Sequence, residues 1–293
     1  IFCSVSYLKP IKRQFMLSKP FASKCLLSLL AIMASSAHAD DSMNSEKTSG
    51  SKPNKEKICA IYPHLKDSYW LSVNYGMVSE AEKQQVELRV LEAGGYPNIG
   101  KQASQLVLCT KWGADAIILG TVSPDAYHDN LSDWVGNTPV FATVNELTVS
   151  KEQQKVLKGT VGVDWYEMGF QVGEFLAKRH PKGSGKTPIA LLLGPQSSGG
   201  TKPVALGFYD AIKSSDVEIE VSYWADNDKE LQRNLVQQVI DEPDIQYIVG
   251  SAVAIEAAIS ELRAAGKTEE IGLVSSYLSH GTYRGVLRNK VLF

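Results

Sequence analysis

Three aromatic pairs stand beside carboxylates at short spacing. They are Asp67-Ser68-Tyr69-Trp70, Asp164-Trp165-Tyr166 and Tyr223-Trp224-Ala225-Asp226-Asn227, and Ser275-Ser276-Tyr277 adds a further ring. Ring faces attract a cationic or methylated nitrogen, at roughly 0.5–2 kcal/mol each and more once water is excluded. A nearby acid suits the same nitrogen. Taken singly, each residue has a plainer use, because an aromatic at a helix start packs on its neighbour and an Asp there caps the helix. Recurrence at four loops favours a pocket, since pockets are aromatic-lined with few polar groups. Sugars also stack on rings, but they need a dense set of Asp, Asn and Arg. Gly250-Ser251-Ala252 and Ser275-Ser276 supply little of that. The chemistry that fits is noncovalent recognition of a small, methylated, poorly hydroxylated ligand.

Catalytic and cofactor patterns are missing from the sequence. It contains no HExxH, GxSxG or CxxC, and its histidines (His38, His64, His128, His180, His280) are scattered. Gly183-Ser184-Gly185-Lys186-Thr187 imitates a phosphate loop, yet His180 occupies the position of the first glycine and the stretch precedes a strand. Gly199-Gly200 before Thr201-Lys202 reads as a tight loop opening a helix. Cys59 and Cys109 are free to pair in an oxidising compartment, and the sequence leaves that pairing open. No cofactor or metal is expected.

The elements that must position these residues alternate strictly. Strands are expected at 58–62, 87–91, 116–120, 139–143, 189–193, 219–224, 247–249 and 271–275. Helices are expected at 70–84, 99–112, 125–134, 166–179, 204–213, 230–240, 254–264 and 283–288. Such βα alternation gives parallel sheets covered on both faces, and runs such as Ala116-Ile-Ile-Leu119 and Ile189-Ala-Leu-Leu-Leu193 are apolar throughout. Four units precede the polar stretch 146–159 and four follow it. The fold class is therefore α/β, with two Rossmann-like lobes at 58–163 and 164–293. Ligands of open α/β sheets lie beyond the carboxyl ends of the strands, which here means the cleft between the lobes, where the aromatic loops fall.

Composition agrees with an exported globular protein. The 293 residues are 44% apolar and 21% charged, enough for a large core and against disorder as a whole. Residues 1–39 carry five basic groups and no acid, then the apolar run Cys25–Met33 and Ala37-His38-Ala39, the order of a secretory signal. Residues 1–15 read as an upstream artefact before Met16. Residues 40–57 read as a disordered leader. From Asp40 onward 25 basic residues face 32 acidic ones, a net of −7, which argues against nucleic-acid binding.

Long stretches carry a family likeness. Ile58–Gly76, Gly136–Asn145, Val161–Tyr166, His180–Thr187, Trp224–Gln237 and Val249–Leu262 resemble type I periplasmic binding proteins of the ribose-binding and LacI-repressor-like superfamily. More specifically the stretches resemble members that sense trimethylamine N-oxide, and the resemblance runs over 58–293. It implies a non-enzymatic periplasmic sensor that binds the N-oxide between its lobes and associates with the periplasmic domain of a sensor histidine kinase controlling the N-oxide reductase. By position it assigns Asp67, Tyr69 and Trp70 to the first binding loop, with Asn145, Asp164, Trp165, Lys202, Asn227, Ser251 and Tyr277 at or beside the pocket. Methyl groups would sit among Tyr69, Trp70, Trp165 and Tyr277. Asn145 or Lys202 would meet the oxygen, and Asp67 or Asp164 would face the nitrogen. Val144 and Tyr277 stand where sugar binders place Asp, and Ser251 replaces Asn or Asp, which argues against a sugar. The family topology also implies closing elements of the first lobe beyond Phe293, so the chain reads as truncated. The alternative is a solute-binding protein serving a transporter for a sugar or methylated amine. A repressor is set aside because the chain has an export signal and no DNA-binding headpiece.

Overall fold

The computed structural model describes residues 55–293, so the expected export signal and residues 40–54 of the leader lie outside the described residues. Strands β1 (Lys57–Tyr62), β2 (Glu87–Glu92), β3 (Ala116–Leu119), β4 (Val140–Val144) and β5 (Leu157–Gly162) form a parallel sheet in the order β2-β1-β3-β4-β5. Strands β6 (Thr187–Leu192), β7 (Val217–Ser222), β8 (Tyr247–Gly250) and β9 (Gly272–Ser275) form a second, ordered β7-β6-β8-β9 and likewise parallel. The connecting helices are α1 (Ser68–Gln84), α2 (Ile99–Lys111), α3 (Leu131–Val135), α4 (Trp165–Arg179), α5 (Thr201–Ile212), α6 (Lys229–Asp241), α7 (Ala252–Ala264) and α8 (His280–Leu287).

Burial explains why these runs are strands. All six residues of β6 and the last four of β1 are buried, as a sheet covered on both faces requires. Odd positions of β1, Cys59 and Ile61, join Leu106, Cys109, Ile117 and Leu131 in one apolar cluster, and a Cys59–Cys109 disulfide ties β1 to α2 within it. Even positions, Ala60 and Tyr62, face a second cluster. That cluster runs through Trp70 and Val144 into Trp165, Leu191, Phe208 and Val249, so one core joins the two sheets. A third cluster lies on the other side of the second sheet, among Leu192, Val236, Ile248 and Ala258.

Two expectations are corrected. The polar stretch after β4 contains a short 3-10 turn, Lys151–Lys155, and then β5 at the sheet edge. Most of β5 is exposed, so it lacks the apolar signal that marks a buried strand. The helix expected at 125–134 is reduced to Leu131–Val135, because residues after Pro124 follow successive turns.

The helix starts are fixed by their caps. Asp67, Asp164, Asp228, Ser251 and Ser279 accept backbone N–H groups at the first turns of α1, α4, α6, α7 and α8. Helices α4 and α5 touch backbone to backbone. A Cβ on Gly169 would overlap the Val204 carbonyl, and one on Gly207 would overlap that of Tyr166. This approach brings the first turns of both helices to the same place, beside the ends of β4 and β6.

Candidate functional site

The connections that leave β1, β2, β4, β5, β6, β7 and β9 converge on one cavity between the two sheets. Tyr69 and Trp70 enter from the first turn of α1, Tyr96 from the loop after β2, and Val144-Asn145 from the end of β4. Trp165, Ser198, Thr201, Asn227, Ser276 and Tyr277 close it from the second sheet. Tyr69, Trp165 and Tyr277 form a mutual triangle, with ring centroids 6.1, 5.4 and 6.0 Å apart. Trp70 stands edge-on to Tyr69 at 6.2 Å. The Trp70 ring lies where a Cβ on Gly120 would have to be, so this glycine makes room for it. The enclosed space measures about 30 Å³, room for about two water molecules.

Its polar groups are largely committed to one another. The Tyr96 hydroxyl accepts from Trp70 Nε1 at 3.3 Å and from Asn145 Nδ2 at 3.4 Å, which leaves its own proton to donate. Asn145 Nδ2 also donates to the Thr121 carbonyl at 2.8 Å. Asp67 Oδ1 accepts the Trp70 backbone N–H at 2.8 Å. Burial raises the Asp67 carboxyl above the usual carboxylate range, with the Trp70 N–H and His64 acting against it. Burial also raises the hydroxyls of Tyr96 and Tyr277, so both are neutral donors at physiological pH. His64 is fully buried behind Asp67. Its Nδ1 accepts the Lys66 N–H at 3.3 Å, which assigns the neutral ring's proton to Nε2. That nitrogen lies 3.8 Å from Asp67 Oδ2 and 4.0 Å from Asp226 Oδ1.

Seven of the ten residues expected at the site line this cavity: Asp67, Tyr69, Trp70, Asn145, Trp165, Asn227 and Tyr277. Three do not. Lys202 is exposed on the first turn of α5 and points away, because Thr201 takes the inward position of that turn. Asp164 is exposed and caps α4 through the Glu167 N–H at 2.9 Å. Ser251 is buried, caps α7 through the Ala254 N–H at 3.2 Å, and reaches the cavity only through the Tyr277 hydroxyl. Tyr166 also turns outward, donating to Asp210 at 2.7 Å. Tyr96, Ser198, Thr201 and Ser276 line the cavity without having been singled out by sequence. Among the described residues no group of three His, Cys, Asp or Glu could hold a metal ion, and no helix is long and apolar enough to cross a membrane.

Comparison with known proteins places this geometry in context. Residues 55–292 match the model of periplasmic binding proteins and the sugar binding domain of the LacI family. The chain is 44% identical over 240 residues to the periplasmic protein TorT of Escherichia coli O157:H7, covering 80% of this chain and 66% of that protein. It thus spans about two thirds of the length of the curated relatives it matches. Among solved structures, TorT in complex with the TorS sensor domain in the presence of TMAO (trimethylamine N-oxide) is 75% identical. It superposes with a TM-score of 0.74 over 81% of this chain and 79% of that one. An ABC transporter solute binding protein from Bradyrhizobium sp. BTAi1 with bound Bis-Tris is 33% identical, with a TM-score of 0.63 over 82% of this chain and 71% of the other.

Proposed function

The chain belongs to the family of periplasmic binding proteins and the sugar binding domain of the LacI family, and from that premise we propose that it binds trimethylamine N-oxide between its lobes and reports it to a TorS-like sensor histidine kinase. Its compartment is the periplasm, as for its TorT relatives. The observation that carries the ligand is the Tyr69–Trp165–Tyr277 triangle, three rings from both sheets within 6.1 Å of one another around a very small cavity. A quaternary nitrogen with three methyl groups offers positive charge and apolar surface together, which is what converging ring faces attract. Asp67 adds a buried carboxyl on the same side.

The N-oxide oxygen needs a donor. Asn145 has given both its contacts to Tyr96 and Thr121, and Lys202 is outside the cavity. The free proton of the Tyr96 hydroxyl is the better candidate, since that oxygen already accepts two bonds. The role is that of a receptor and not an enzyme. The buried carboxyl and hydroxyls cap helices and orient rings, and ligand contacts to both lobes favour the closed arrangement that a partner can read.

The kinase partner is supported by the TorT relatives, which form a complex with the TorS sensor domain. A second reading, a solute-binding protein serving a transporter, has in its favour the 33% identical Bradyrhizobium protein with bound Bis-Tris, itself a tertiary amine. Calorimetric titration of trimethylamine N-oxide, with ribose as control and with or without the kinase sensor domain, separates the two. Binding of the N-oxide that strengthens when the sensor domain is present supports the receptor. Binding of ribose, or indifference to the sensor domain, favours the transporter reading.

A further inference from the structure

The first binding turn does more than carry rings. Ser68, immediately before Tyr69, donates its hydroxyl to Glu256 Oε1 on α7 at 3.2 Å, which crosses from the first lobe to the second. The same oxygen accepts the hydroxyl of Ser279, the cap of α8, two residues after Tyr277. One half-buried carboxylate oxygen therefore holds the segments that carry Tyr69 and Tyr277, whose rings meet edge-on at 5.4 Å. The sequence makes room for this carboxylate. A Cβ on Gly281 would lie 2.6 Å from Oε1 and 2.7 Å from the Glu256 Cγ, so any larger residue there would displace it. Beside the cavity the Trp165 indole also ties the lobes, donating to the Val144 carbonyl at 3.0 Å, and two charged contacts lie nearby. Lys66–Asp228, at 3.3 Å, pairs an exposed lysine with a half-buried aspartate and is worth little, and His64–Asp226 spans 4.0 Å.

We propose that Glu256 is a positioning residue that clamps the lobes together over the cavity, holding Tyr69 and Tyr277 in contact through Ser68 and Ser279. It touches no ligand itself, and its effect on affinity rests on the reading that the ligand is held between the lobes. Because both serines use Oε1, glutamine in its place retains the acceptor and the clamp, whereas leucine removes it.

The test uses the full-length protein in four variants: Ser68→Ala, Glu256→Leu, Glu256→Gln and the Ser68→Ala/Glu256→Leu pair. Each is titrated with trimethylamine N-oxide. Each is also spin-labelled at exposed Glu82 and Glu270, one site per lobe, for distance measurement without ligand. Ser68→Ala and Glu256→Leu should each weaken binding about fivefold, as for the loss of one hydrogen bond to a charged group. The pair should be no weaker than Glu256→Leu alone, because both remove the same link. Glu256→Gln should bind within about twofold of wild type. The spin-label distances of the first two variants should shift to longer values even without ligand. Additive losses, or wild-type distances in both Ser68→Ala and Glu256→Leu, would overturn the clamp. Ser68→Ala alters one side chain on a partly exposed first turn, so it decides the matter even if Glu256→Leu folds poorly. If wild type does not bind the N-oxide, the ligand reading fails while the distances still test the clamp.

Discussion

Trp165 donates its indole N–H to the carbonyl oxygen of Val144 at 3.0 Å, a bond from the first turn of α4 to the end of β4. Val144 has φ 65°, the left-handed region that a β-branched residue rarely adopts. Such a conformation persists only where its surroundings over-determine it. Here the indole bond and the adjacent buried Asn145 supply that constraint. One residue thus gives the cavity a ring face and fixes the backbone opposite. Trp165→Ala should weaken trimethylamine N-oxide binding at least tenfold, about 1.4 kcal/mol. Trp165→Phe, which keeps a ring but loses the bond, should fall between it and wild type. Calorimetry on both variants and on Trp70→Ala decides this, and unchanged affinity in both alanine variants would remove the aromatic box.

Tyr96→Phe isolates the donor. The substitution keeps the ring and leaves Trp70 Nε1 without its partner. An unsatisfied buried donor costs about 1–3 kcal/mol, so thermal unfolding should begin at a lower temperature. The N-oxide should also bind at least tenfold more weakly, about 1.4 kcal/mol. Loss of stability with unchanged affinity would confine Tyr96 to a structural role and return the oxygen to another donor, with Thr201 and Ser276 next in line.

Lys202→Ala checks a residue that the family resemblance placed at the pocket. Its side chain is exposed on α5 while Thr201 faces the cavity. Affinity should stay within about twofold, since an exposed charge at this distance is screened. A tenfold loss by calorimetry would mean that Lys202 reaches the ligand in the bound state.

The sequence made the βα alternation legible because buried parallel strands are apolar throughout, as in β6, and because five of the eight helix starts carry a capping Asp or Ser. It hid β5, whose exposed edge position removes the apolar signal. It also could not separate capping from ligand binding. Asp67 and Asp164 stand in the same local pattern, an acid just before aromatics, and both accept a backbone N–H three residues on. Only the burial of Asp67 beside the cavity, against the exposure of Asp164, distinguishes them. Tyr96 escaped notice for the opposite reason. Its importance lies in contacts to Trp70 and Asn145, 26 and 49 residues away, which no local pattern encodes.

The Cys59–Cys109 disulfide spans a sequence separation of 50 residues. Closing a loop of that size in the unfolded chain contributes about 4 kcal/mol on the chain-entropy account. Both cysteines are fully buried in the cluster on the α2 side of β1, whereas Tyr62 faces the side that carries Trp70. Replacing both by Ala should therefore lower the urea midpoint sharply while N-oxide affinity below the transition stays unchanged. A loss of affinity in the folded variant would show that the bond also tunes the cavity.

His64 gives the fold a pH dependence whose sign can be worked out. Burial holds its imidazole below the ordinary value of 6.5, opposed by the carboxylates of Asp67 and Asp226, with Lys66 and Glu92 as lesser neighbours. The unfolded chain therefore takes up the proton first as pH falls. The contribution of His64 is fully present above pH 6.5 and is lost progressively below it. Asp67 acts in the opposite sense. Burial raises its carboxyl above 3.8, so the folded chain holds that proton more readily, and the cost of the buried charge is relieved as pH falls. His64→Gln removes the first effect and leaves the second. Melting temperatures measured between about pH 7.5 and 5 should fall more steeply for wild type than for the variant, the curves diverging below 6.5. Parallel curves would mean that His64 is protonated equally easily in both states, and that its burial beside two carboxylates is electrostatically balanced.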